Sequence, residues 1–228
     1  LYVAEGSGGL KVIDVSNPAS PHLINTPTLP GSDPVEVDAL ALSGASLYVA
    51  DIGLDIFDLT KPDAPVAKGS LSRTFIQDLA VDETLVYAAT ANGLDVFNVL
   101  SPTSPLIAGS YTNSDWGQAI ALAPGYAFYG GQSGLTVFDI STPSTPSIAA
   151  SSGAAGSING LSLHGNYLYV SAQGPGLTIL DISNPKVPKV VGKCGETSVG
   201  TPMSMTIAEP YGFVAGGSGG VIILNLTL

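Results

Sequence analysis

Four polar side chains occupy one equivalent position in a segment that recurs along the chain. The segments align on five apolar residues, namely Leu40, Leu79, Ile120, Leu161 and Met205. Two positions before these stand, in the same order, Asp38, Gln77, Gln118, Asn159 and Met203. Carboxylate and amide oxygens gathered in this way would bind a cation such as calcium, or a polar ligand, with Asp38 and Asp78 supplying charge. The alternative is that these side chains hydrogen-bond backbone groups and water.

The single tryptophan, Trp116, follows Asp115 and lies two residues before Gln118. An exposed aromatic ring with carboxylate and amide neighbours would stack on a sugar ring. The alternative is a loop tryptophan that fills the hydrophobic core. Taken together, the candidate ligand-binding residues are Asp38, Gln77, Asp78, Asp115, Trp116, Gln118 and Asn159.

Residues suited to catalysis are few. His22 is expected in an outer strand and His164 in a turn at the far end of an inner strand, so neither would pair with a nucleophile near the polar positions. Cys194 is the only cysteine, which excludes an intrachain disulfide, and no cluster has zinc-site spacing. We therefore predict no catalytic residue and no cofactor, with calcium at the polar positions as the alternative.

The elements that must position these residues come from a repeated motif, Asp-x-Ser-x-Pro-x-x-Pro and its variants. Its first prolines are Pro18, Pro62, Pro102, Pro143 and Pro185, so one unit recurs about every 40 to 44 residues. A sixth copy begins at Asn225. The Asp or Asn that opens each motif is expected to accept hydrogen bonds from backbone N–H groups of the turn rather than to bind a metal.

Each unit contains four segments in which apolar residues alternate with the period of a β-strand. In one complete unit these are 37–43, 47–50, 54–59 and 66–71. The third segment is the most regular of the four, and each copy is preceded by a glycine, namely Gly9, Gly53, Gly93, Gly134, Gly176 and Gly220. The glycine predicts a turn with positive φ. Four antiparallel strands per unit, repeated without helices, predict an all-β β-propeller.

At these motifs the chain resembles the LVIVD-repeat family of β-propellers. The matching features are second strands such as Tyr48-Val-Ala50, the glycine-leucine strands and the aspartate-serine-proline turns, and they extend over essentially all 228 residues. Leu100 departs from the usual Ser or Thr. The resemblance implies the propeller fold but little about activity, since family members are mostly bacterial and archaeal exported or cell-surface proteins without an assigned reaction. An extracellular or cell-surface location is therefore expected.

A single propeller domain is predicted over residues 1–228. Its units are 1–34, 35–74, 75–115, 116–156, 157–200 and 201–228. The first unit lacks an inner strand and the last lacks an outer strand. We expect a six-bladed ring with four-stranded antiparallel blades, completed by residues of a longer protein; seven blades, an open ring and strands donated by another chain are the alternatives. Unpaired edges would allow self-association.

Composition restricts the partners. Seven Lys and Arg residues against 18 Asp and Glu give a net charge of −11, which would repel nucleic acid and anionic membrane surfaces. No apolar run is long enough to predict a membrane span. We predict a non-catalytic binding or scaffold propeller that engages a protein or glycan partner through its variable loops. The alternatives are a metal-dependent lactonase or hydrolase and a structural subunit that assembles by strand exchange.

Overall fold

The computed structural model describes residues 1–30, 36–73, 75–153, 156–195 and 200–226. Within these ranges the chain forms twenty-two β-strands in six antiparallel sheets and no α-helix. The sheets are the six blades of a β-propeller, which confirms the predicted fold class. Four blades have four strands, whereas the first and last have three. The same residues include no helix that could cross a membrane.

The chain divides into two compact units, Leu1–Ser110 and Tyr111–Leu228. Blade 1 consists of β1 (Tyr2–Ala4), β2 (Leu10–Asp14) and β3 (His22–Asn25). Blade 2 consists of β4 (Ala39–Ser43), β5 (Ser46–Ala50), β6 (Gly53–Asp58) and β7 (Val66–Ser72). Blade 3 consists of β8 (Ile76–Asp82), β9 (Leu85–Thr90), β10 (Gly93–Asn98) and β11 (Leu106–Thr112). Blade 4 consists of β12 (Gly117–Ala123), β13 (Tyr126–Gly131), β14 (Gly134–Asp139) and β15 (Ser147–Ser152). Blade 5 consists of β16 (Ile158–His164), β17 (Tyr167–Ala172), β18 (Gly176–Asp181) and β19 (Lys189–Cys194). Blade 6 consists of β20 (Ser204–Ala208), β21 (Tyr211–Ala215) and β22 (Val221–Asn225).

Apolar residues alternate along the strands, and the apolar face of one blade is buried against the neighbouring blade. In the first unit, Leu47 pairs with Phe57 across β5 and β6. Both side chains pack with Leu10 of blade 1 and with Val37 in one buried cluster. In the second unit, Phe128 of blade 4 lies in a cluster with Val170 of blade 5. Removal of these apolar faces from water is the main stabilisation of neighbouring blades within each unit.

The proline motif is the turn that joins the third strand of a blade to its outer strand, as predicted. The Oδ1 atom of the opening residue accepts a backbone N–H two residues later in all five copies, at 2.7 Å for Asp14, 2.7 Å for Asp58, 3.0 Å for Asn98, 3.1 Å for Asp139 and 2.8 Å for Asp181. The first proline then occupies the second position of a hydrogen-bonded β-turn, as in Ser20 N–H to Asn17 O. The sixth copy extends to Thr227, which lies outside the described residues.

The glycine before each third strand has a positive φ in five of the six copies, for example 121° at Gly93 and 119° at Gly134. The prediction is wrong for Gly53, whose φ lies outside the left-handed region. A Cβ atom at Gly53 would lie 2.5 Å from Leu71 O and 2.9 Å from Ser72 Cα. Close backbone approach, rather than backbone conformation, requires glycine there.

The turn hydrogen bonds predict how stability responds to acid. The N–H of Thr60, with help from Lys68, lowers the pKa of Asp58 to about 2. Because the folded pKa lies below the unfolded value of about 4, this carboxylate stabilises the fold above pH 4, and the contribution is lost as the pH falls through 2. Asn98 takes the same turn role without charge. We expect Asp58→Asn to flatten the fall in melting temperature between pH 4 and pH 2, measured by circular dichroism.

The control for this prediction is Asp58→Ala, which removes the acceptor itself. We expect it to lower the melting temperature across the neutral range as well as in acid. Equal pH slopes in the wild type and Asp58→Asn would contradict the assignment of acid sensitivity to this turn.

Candidate functional site

The polar position predicted from the repeat coincides with a β-bulge at the start of three blades. Regular pairing with the second strand skips one residue in β8, β12 and β16, and the skipped residues are Gln77, Gln118 and Asn159. A bulge leaves its extra residue unpaired and redirects the side chain. The three residues aligned from sequence therefore occupy structurally equivalent positions.

In the compact unit Leu1–Ser110, the bulge position of blade 3 is hydrogen-bonded to blade 2. Gln77 Nε2 donates to Asp38 Oδ2 at 3.2 Å. Burial raises the pKa of Asp38, and the negative charges of Glu36 and Asp51 raise it further. The third predicted residue, Asp78, accepts the N–H of Leu79 at 2.9 Å through Oδ1. The structure thus brings Asp38 and Gln77 into contact, while one carboxylate oxygen of Asp78 is used within its own strand.

In the second unit, the equivalent residues have different surroundings. Asn159 Nδ2 donates to Pro202 O at 2.9 Å, which ties blade 5 to the segment before β20. Gln118 is half-buried, and Met203 is exposed. Asn159 therefore makes the backbone hydrogen bond that the alternative interpretation of the polar position anticipates.

Trp116 lies directly before β12, with 40% of its surface exposed. It does not fill the core. Its carbonyl oxygen accepts Gln132 N–H at 3.3 Å, so Trp116 lies on a loop whose backbone is bonded to the turn after β13. An exposed tryptophan on a restrained loop is a favourable contact for a ligand, because little conformational freedom is lost on binding.

The neighbouring Asp115 restrains this loop. Its Oδ1 accepts Ser133 N–H at 3.0 Å, and its N–H donates to Asn113 Oδ1 at 3.1 Å. Its backbone oxygen accepts the hydroxyl of Tyr129 at 2.7 Å. Burial, and then the charge of Asp115, raise the pKa of Tyr129. Tyr129 thus remains a neutral donor throughout the physiological range.

Two glycines make room for these contacts. A Cβ atom at Gly117 would lie 2.5 Å from the hydroxyl oxygen of Tyr129, and one at Gly131 would collide with the carboxylate of Asp115. Sequence reasoning missed Tyr129, Gly117 and Gly131 as supports of the Trp116 loop. The available signal was the second strand of blade 4, which ends in Tyr129-Gly-Gly131 where blade 2 has Val49-Ala-Asp51.

The sequence profile of the LVIVD repeat matches residues 1–27, 36–72, 76–113, 117–152 and 155–195. The chain belongs to the LVIVD-repeat family. No curated protein matches this LVIVD propeller.

Solved structures share the fold of this LVIVD propeller at low sequence identity. A functionally unknown protein from Desulfotomaculum acetoxidans DSM 771 is 10% identical with a TM-score of 0.79, covering 99% of this chain and 78% of that one. The Cps50 (Swd1) β-propeller domain of Myceliophteria thermophila is 16% identical with a TM-score of 0.71, at 98% and 83% coverage. The computationally designed Ika8 protein is 16% identical with a TM-score of 0.73, at 98% and 67% coverage. These similarities establish the fold alone.

The histidines of the LVIVD propeller lie beside carboxylates. His164 ends β16, at the opposite end of that strand from Asn159, and its Nε2 lies 2.6 Å from Glu209 Oε1. His22 begins β3, and its Nε2 lies 3.9 Å from Asp14 Oδ2. Within the described ranges, no group of three or more His, Cys, Asp or Glu side chains is arranged to hold a metal. The calcium site predicted at Asp38, Asp78, Gln118 and Asn159 therefore stays a prediction.

Proposed function

We propose that this LVIVD propeller is a non-catalytic binding domain that recognises a glycan through the Trp116 loop. The observation that supports this proposal is that Trp116 is 40% exposed on a backbone restrained by hydrogen bonds. Sugar rings present C–H groups on one face and hydroxyl groups around the rim. An indole stacks on the former, while polar side chains nearby bind the latter.

The polar side chains available in the same unit are those of Asp115 and Gln118, on either side of Trp116 and Gly117 in the chain. Asp115 Oδ1 accepts Ser133 N–H, and this hydrogen bond fixes the carboxylate. Gln118, redirected by the bulge, has an amide that can both donate and accept. Such a pair suits vicinal hydroxyl groups, because each hydroxyl needs both a donor and an acceptor.

The test begins with the purified chain on an array of bacterial, plant and animal oligosaccharides, followed by calorimetric titration of the best binder. We expect Trp116→Ala to weaken binding at least tenfold, since exposed tryptophans at binding surfaces commonly contribute more than 1.4 kcal/mol. The melting temperature should stay within a few degrees of wild type. The matched control is Leu100→Ala, because Leu100 is 73% exposed in a turn of blade 3 and should leave affinity unchanged.

Three results would contradict the proposal. Unchanged affinity in Trp116→Ala would place the binding surface elsewhere. Capture of a protein, with no oligosaccharide bound, would replace the glycan by a protein partner. Turnover of a lactone or ester panel by the chain would replace the non-catalytic role by a hydrolase.

Two further expectations belong to the proposal. An extracellular or cell-surface location follows from the ligand class, since such glycans lie outside the cell.

Self-association by strand addition is a separate prediction, supported by β22, an edge strand of blade 6 on which Val221 and Ile223 are 73% and 61% exposed. A monomer at every concentration in light scattering would contradict it.

A further inference from the structure

Asp55 is a buried carboxylate with an unsatisfied oxygen. It lies in β6, opposite Val49 of β5 and Ser70 of β7, on the face that also buries Phe57. Its residue exposure is 2%, and its Oδ2 has no hydrogen-bond partner. Desolvating a carboxylate in this way is costly unless a positive charge or a set of donors compensates. The position therefore calls for a partner that the described side chains do not supply.

The next blade shows how the same position is satisfied. Asp95 is the equivalent residue of β10, the third strand of blade 3, and it is also buried, with 6% of its surface exposed. The guanidinium of Arg73 donates to both of its oxygens, from Nε at 3.0 Å and from Nη2 at 3.3 Å. The segment that joins β7 of blade 2 to β8 of blade 3 thus supplies a cation to the buried aspartate of blade 3. No salt bridge reaches Asp55 from the residues described in blade 2 or its neighbours.

Blade 2 instead adds a second carboxylate. Asp51, in the turn between β5 and β6, is 2% exposed, where blade 3 has Ala91. Asp51 and Asp55 line one cavity of about 10 Å³ together with Ser70 and Ser72. That volume holds about one water molecule or one bare ion. Burial raises the pKa of Asp55 to about 8, and the charge of Asp51 contributes to the shift.

We propose that Asp51 and Asp55 bind one calcium ion inside blade 2, at a site distinct from the Trp116 loop. Two carboxylates balance the charge of a divalent ion. Carboxylate, serine hydroxyl and backbone carbonyl oxygens are the hard ligands that calcium accepts in irregular geometry. Magnesium retains several waters, for which a cavity of this size has no room. Zinc favours nitrogen and sulfur ligands, and the cavity lining contains neither histidine nor cysteine.

The experiment uses the full chain, stripped with EGTA and dialysed. Thermal unfolding is then followed with CaCl2, MgCl2 or NaCl at matched ionic strength, and calcium is titrated by calorimetry. We expect one calcium per chain and a melting temperature raised by about 5–10 °C at a concentration 100-fold above the Kd. Asp55→Asn should remove this response, because the isosteric amide cannot balance the ionic charge. Asp95→Asn, the matched change in blade 3, should retain it.

Several outcomes would overturn the proposal. These are no calcium response in the wild type, an equal response to magnesium, and a full response in Asp55→Asn. Loss of the response in Asp38→Asn with its retention in Asp55→Asn would move calcium to the inner-strand position. Trp116→Ala should leave the response intact, so failure of glycan binding and failure of calcium binding are distinguishable.

Discussion

Replacing Phe138 by alanine is expected to lower the free energy of unfolding by about 3–5 kcal/mol, the usual cost of emptying a buried phenylalanine site. Phe138 is 0% exposed in β14. Its ring centroid lies 5.1 Å from that of Tyr111 in a tilted arrangement and 5.8 Å from that of Tyr129, edge to face. Both contacts are lost on truncation. In thermal unfolding, the loss should appear as a fall in melting temperature of about 6–20 °C.

The repeat provides a control for this prediction. The equivalent position of β18 is Leu180, which is also buried. Phe138→Leu should therefore cost less, about 1–2 kcal/mol, because the leucine fills part of the site. Equal stabilities of Phe138→Ala and wild type would contradict the assigned packing of blade 4. Since Tyr129 also holds the Trp116 loop, Phe138→Ala should weaken oligosaccharide binding as well.

Replacing Arg73 by alanine is expected to cost about 1–3 kcal/mol, because the buried carboxylate of Asp95 would lose both of its charged donors. The cost falls below that of a fully buried ion pair, since the Arg73 side chain is 41% exposed and water can reach its place. Hydrogen bonding to Asp95 also raises the pKa of Arg73, so the guanidinium keeps its charge at any pH of interest.

A double variant separates charge from packing at this site. Blades 4 and 5 carry Thr136 and Thr178 at the position of Asp95. Asp95→Thr in the Arg73→Ala background removes the unpaired charge with a residue that the fold already tolerates. The double variant should be more stable than Arg73→Ala alone in urea unfolding. An Arg73→Ala protein as stable as the wild type would show that Asp95 does not need its cation.

The fold could be predicted because its information is local and repeated. Period-two strands, a glycine before the third strand and an Asp or Asn that accepts a turn N–H recur in register, so each copy supports the others. The exception, Gly53, is instructive. Glycine is required at position 53 because Leu71 O approaches closely, and this contact between strands cannot be read from the local sequence.

The site was only partly predictable. Alignment of the repeats assigned Gln77, Gln118 and Asn159 to equivalent positions of their blades, and each is the bulged residue of its strand. Their partners differ between blades, because Asp38 is reached by Gln77 whereas Asn159 reaches Pro202. Neither the burial of Asp55 nor the support of Trp116 by Tyr129 could be found from spacing. Both depend on side chains from separate strands that meet only in the folded chain.

The emission of Trp116 tests the central claim most directly, because it is the only tryptophan and its fluorescence reports on the proposed site alone. The oligosaccharide that binds best in calorimetry should shift and quench this emission saturably, with the same Kd. Binding measured by calorimetry with no change in tryptophan emission would contradict the assignment of the ligand site to the Trp116 loop.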